Sequence, residues 1–155
     1  MNHSLSRLKK AIPGFNKKVF SADDFWRLTK REGIRVDFWK LNRNIHGFYG
    51  VNRRYKKAVK YIVINQCNLP NRWLYIGFHE LIHHYLHAPV TDLEVYFSKD
   101  HASARQEREA DMFARMLLIP KPLLLELVET PFEDIVGISD KDLRARWSDF
   151  QRIGE

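Results

Sequence analysis

The spacing of apolar positions changes character along this chain, and each change predicts a different element. The first twenty residues are rich in Lys and Arg, are interrupted by Pro13-Gly14, and predict a loose basic arm. Ser21 followed by Asp24 marks a helix start, since the serine oxygen accepts from the amide three residues on while the acid reaches back. That helix is expected to bury Phe25, Trp26 and Leu28 and to stop at Gly33. Alternation then takes over. IRVDFW (Ile34–Trp39), residues 46–54 and VKYIVIN (Val59–Asn65) predict three strands, the third β-branched and largely buried. RRYKK, residues 53–57, falls at the tip between the second and third.

Helical spacing follows. A helix is expected over residues 71–87, stopped by Ala88-Pro89, then a short edge strand at residues 94–97. A long helix over residues 102–119 ends before Pro120, and Lys121-Pro122 opens another. Ser139 and Asp142 form a second capping box, which starts a last helix. There are no internal repeats. Strands first and helices later predict an α+β fold with a small N-terminal antiparallel sheet.

Composition narrows the classes. A chain of 155 residues suits one domain. Its single cysteine, Cys67, excludes an internal disulfide and a cysteine-based metal cluster. The charged N-terminus lacks the apolar core of a signal peptide, and no apolar run spans a bilayer, so a cytoplasmic protein without a membrane partner is expected. The net charge of +7 is uneven: the first 60 residues carry most of the Lys and Arg, and the remainder is acidic. A basic half can meet nucleic acid or an acidic protein, or simply keep a small protein soluble.

The chemistry concentrates in FHELIHHYLH, residues 78–87, where four histidines and a glutamate sit among Phe78, Leu81, Ile82 and Leu86. His79 and His83 are four apart and share one helical face. Glu80 lies about 100° round the axis. H-E-x-x-H supplies two zinc ligands and an adjacent carboxylate. A catalytic zinc takes three protein donors and a water, and Glu80 would be the base for that water.

A third donor is expected from EREADMFARMLLIP, residues 107–120. Read alone, this is an amphipathic core helix with charges at its edge. Beside H-E-x-x-H, its small Ala110 and Ala114 let two helices approach, bringing a carboxylate within reach of the metal. Glu107, Glu109 and Asp111 are all candidates. Glu109 points about 200° away from Glu107, so the two cannot both face the metal. The i, i+4 pair favours Glu107 as ligand and Asp111 behind it, bonded to His79. His87 is expected to sit at the helix C-terminus as a partly charged cap, and His84 to point away, either exposed or packed. Tyr49, Tyr85, Tyr96 and His101 are open candidates for an oxyanion stabiliser.

HELIHHYLH followed by EREADMFARMLLIP resembles the ImmA/IrrE family of metallo-endopeptidases. GFYG (residues 47–50) and YIVINQCNLP (residues 61–70) are similar to its lead-in, and the resemblance covers roughly residues 21–120. It implies a zincin-like helical core, one Zn2+ per chain on His79, His83 and Glu107, and Glu80 as the catalytic residue. It also implies a protein substrate, a helix-turn-helix repressor of a mobile element or stress response, in a bacterium or phage. The organisation then reads as a basic arm at 1–20, a metallopeptidase domain at 21–130, and a helical extension at 131–155 packed on that domain. Ile82 stands where the family often has glycine. The alternative is a non-proteolytic, metal-containing module that binds a repressor or DNA, with nucleic acid possible but not required.

Overall fold

The computed structural model describes residues 2–52, 58–69, 71–87, 103–129 and 138–155. The RRYKK tip, the edge strand expected at 94–97, Tyr96, His101 and the segment 130–137 lie outside them. Within them, six helices surround a three-stranded sheet, an α+β fold.

The first twenty residues are not a loose arm. Asn2–Ala11 is a helix (α1) whose Leu8, with Ile12 and Phe15 just beyond it, is at most 1% exposed. Leu8, Ile12 and Phe15 recur at helical spacing. The lysines between them occupy the outward face, which is why the segment reads as merely basic.

Ala22–Arg31 (α2) starts at the expected capping box, with Ser21 accepting from the Asp24 amide and Asp24 reaching back to the Ser21 amide. Phe25 and Leu28 are buried as expected. Trp26 is not: it is 42% exposed and stacks on Trp73 at the edge of the core. Gly33 follows with φ +64°, the left-handed conformation that glycine adopts without strain.

Ile34–Trp39 (β1), Gly47–Asn52 (β2) and Val59–Asn65 (β3) form the sheet in the order β1-β3-β2. β2 and β3 are antiparallel, pairing Tyr49 with Ile62. β1 is parallel to β3, pairing Val36 with Ile62, so the sheet is mixed rather than wholly antiparallel. β3 takes the centre because Ile62, Val63 and Ile64 are a continuous apolar run, all fully buried, and only a strand covered on both faces can bury such a run. The crossover this requires is pinned by Asn65. Its Nδ2 donates to the carbonyls of Leu41, Asn42 and Ile45, and its Oδ1 accepts from the Leu41 and Cys67 amides.

Trp73–His87 (α3) lies against this sheet and is packed on its other side by Ala104–Leu118 (α4). Two glycines permit the approach. A Cβ on Gly77 would come within 2.8 Å of the Phe25 ring, and one on Gly47 within 2.7 Å of Ile76 and 2.8 Å of the Val63 carbonyl. Ala110 and Ala114 are fully buried between α3 and α4, as their size suggested. Lys121–Glu129 (α5) and Asp140–Ile153 (α6) follow, with Ser139 and Asp142 forming the expected capping box. α6 is tied back by Arg72–Asp142 at 2.8 Å and Arg115–Asp149 at 2.7 Å. Its fully buried Arg146 donates to the Ile119 carbonyl and to Asn16 Oδ1. No helix among the described residues is long and apolar enough to cross a membrane.

Candidate metal centre

α3 turns His79 and His83 to the same side, towards α4, where Glu107 stands in the first turn. His79 Nε2 and His83 Nε2 are 3.1 Å apart. Glu107 closes the triangle, its two carboxylate oxygens lying 3.2 Å from His79 Nε2 and 3.4 Å from His83 Nε2. Among the described residues this is the one group of three such donors close enough to share an ion.

Behind it, Asp111 Oδ1 lies 2.9 Å from His79 Nδ1 and accepts from the Tyr75 hydroxyl at 2.9 Å. With Nδ1–H committed to Asp111, His79 turns Nε2 inward, the atom that can carry either a proton or a metal ion. Two imidazole nitrogens and a carboxylate then face one another with too few protons between them, an arrangement that demands a positive charge. The proton equilibria express the same demand. Burial alone would depress His79, but its bonds to Asp111 and Glu107 carry it up to about 10. The bonds to His79 and His83 hold the Glu107 carboxyl well below the usual range. Burial would raise Asp111, yet His79 and Tyr75 hold it low. The donor set, two nitrogens and a carboxylate, fits a divalent ion of zinc's class.

Glu80 is 8% exposed, beside the triangle rather than in it. Burial pushes its carboxyl upward, opposed by the nearby His79 and His83. It accepts a hydrogen bond from the Tyr49 amide on β2, one of the two edge strands. Gly47 on the same strand leaves space for it: a Cβ there would stand 3.5 Å from Glu80 Oε1.

The IrrE N-terminal-like domain profile (Peptidase_M78) matches residues 29–148. The chain belongs to this family. It is also 32% identical to "Uncharacterized immunity region protein 2" of Bacillus phage phi105, over 81% of this chain and 76% of that protein. Membership in a metallopeptidase family agrees with a triangle of donors on α3 and α4 that could hold a metal ion. Glu109, the third acid weighed from the sequence, points away from the triangle and lies 3.9 Å from His87.

The remaining histidines depart from or extend the sequence reading. His84 is neither exposed nor idle. Its Nδ1 meets the Tyr49 hydroxyl at 2.9 Å, and its Nε2 lies 3.4 Å from Glu32. Glu32 also accepts from Tyr85, which in turn accepts from Arg31. Burial pushes the Tyr49 hydroxyl up to about 12 and the His84 imidazole down. Of the three hydroxyls offered above for the oxyanion, Tyr49 and Tyr85 are therefore engaged in this network, and Tyr96 lies outside the described residues. His87 ends α3 as expected, but it is enclosed rather than a solvated charge: its side chain is 9% exposed, its ring packs on His83, and burial lowers its pKa. His46 is exposed and lies 3.2 Å from Asn68 Oδ1.

Proposed function

We propose that this chain is a zinc-dependent endopeptidase. The observation that carries the reading is the convergence of His79, His83 and Glu107 on one point with the buried Glu80 beside it. When bound by those three side chains, zinc supplies a Lewis acid that polarises the scissile carbonyl and acidifies a water. Glu80 accepts the proton of that water as its oxygen bonds to the carbonyl carbon. The same carboxyl delivers the proton to the leaving nitrogen as the C–N bond breaks. Asp111 and Tyr75 orient His79. An extended substrate that adds to the edge at β2 lies alongside Glu80.

The substrate we infer is a helix-turn-helix repressor of a mobile element or stress response. Support comes from the family resemblance and from a relative whose name places it in a phage immunity region. The test is incubation of the zinc-loaded protein with such a repressor encoded beside its gene, read by mass spectrometry of the products. Wild type is expected to cut at one or a few bonds. Glu80→Gln is expected to keep its zinc and lose cleavage by about a thousandfold or more, within the range general acid–base groups contribute. Undiminished cleavage by Glu80→Gln refutes the mechanism. Repressor capture without cleavage by wild type leaves the non-proteolytic binding module as the function.

A further inference from the structure

His87 continues the line of His79 and His83 by one more turn of α3, and the mechanism above does not use it. Among the described residues, its Nε2 is the one buried side-chain polar atom without a hydrogen-bond partner. Its other ring nitrogen is committed to the Gln106 backbone on α4. That bond makes Nδ1 the donor and leaves Nε2 as a bare lone pair. Among the described residues it forms a long contact with Glu109 Oε2 at 3.9 Å, also an acceptor and only 15% exposed, while Glu109 Oε1 faces the exposed Arg105 at 3.7 Å. Two acceptors 3.9 Å apart cannot satisfy one another. Something that donates or coordinates belongs between them.

We propose that His87 Nε2 and Glu109 Oε2 bind a second divalent cation of zinc's class, beside the first centre. Imidazole and carboxylate are the donors such ions take, and a histidine whose far nitrogen is fixed by a backbone carbonyl is oriented as metal ligands are. Zinc–donor bonds of 2.0–2.2 Å set tetrahedral donors about 3.3 Å apart, so the pair needs to close by only roughly half an ångström. With two protein donors rather than three, this site binds more weakly than the first. An ion here places positive charge against the His83 ring, so surplus zinc opposes occupancy of the first site. The assignment does not depend on the chain being a peptidase.

The test is elemental analysis and calorimetry with zinc alone, over a range of free zinc, on wild type, Glu109→Gln, His87→Gln and Glu107→Ala. Wild type is expected to take about two zinc ions per chain at high zinc. Glu109→Gln and His87→Gln are each expected to lose the weaker one and keep the tighter. Glu109→Gln is isosteric and near the surface, so its fold is not at risk. A single zinc in wild type at every concentration overturns the proposal and leaves an ordered water as the occupant. Two zinc ions in wild type and in both pair variants also overturn it, since the second ion then sits elsewhere. Loss of the tight ion in Glu107→Ala bears only on the three-residue centre, so the two assignments fail separately.

Discussion

At the scale of single residues, the centre depends on which nitrogen each imidazole presents, and neighbours decide that. Asp111 fixes His79 by taking Nδ1–H, and Tyr75 steadies Asp111 from the other side. Asp111→Asn is therefore expected to weaken zinc binding by about 10–100-fold without changing the ligands, measured by competition with a chelator. Tyr75→Phe should weaken it less, because Asp111 keeps its bond to His79. H-E-x-x-H and the i, i+4 acids were legible before any fold was known, because helical spacing alone puts those atoms on one face. His84 was not. Its partners Tyr49 and Glu32 are 35 and 52 residues away in sequence, and nothing local announces them. Asn65 was missed for the same reason: its bonds go to a loop 20 to 24 residues upstream.

At the scale of elements, caps and periodicities carried nearly all the information. The three strands and the capping boxes at Ser21 and Ser139 fall where local chemistry puts them. Ser139→Ala is expected to cost about 1 kcal/mol in denaturant unfolding, the usual worth of an N-cap. Close helix contact leads to a prediction of opposite sense to propensity. Alanine is better than glycine inside a helix by about 1 kcal/mol. At Gly77, however, a Cβ meets the fully buried Phe25 ring at 2.8 Å, and overpacking costs about 1–3 kcal/mol. Gly77→Ala should therefore lower the melting temperature, and a rise would show that Phe25 can yield. Strand direction was the element-level property that escaped. A hairpin connection suggests antiparallel neighbours, but burial of the Ile62–Ile64 run drew β3 between its predecessors.

At the scale of the whole molecule, the two ends of the chain are structural. Leu8, Ile12, Phe15 and Phe20 belong to the core, and the Phe20 amide bonds to the Leu117 carbonyl of α4. Leu8→Ala is expected to cost about 2–5 kcal/mol in denaturant unfolding. Removing the first twenty residues should unfold the protein rather than merely strip a charged arm. The acid limb of stability is set partly by Asp142. Burial would raise its pKa, but Arg72 and Ser139 hold it below the ordinary aspartate value. A depressed carboxyl stabilises above its unfolded value, and that stability is lost as pH falls through its folded one. Wild type should thus melt above Asp142→Asn at neutral pH, with the gap closing as pH falls below the ordinary aspartate range. A gap independent of pH would mean the variant acts through packing instead.

The sequence by itself determined what can be decided within a few turns of chain: strand and helix identity, the caps, the metal-ligand motif and its companion acids. These follow from periodicity and from side chains reaching their own backbone. Only tertiary structure decided which distant groups meet: β3 at the centre of the sheet, α1 in the core, Tyr49 on His84, and His87 facing Glu109. Each of those depends on the burial of surfaces far apart in sequence, a free energy shared by the whole fold and visible in no single segment.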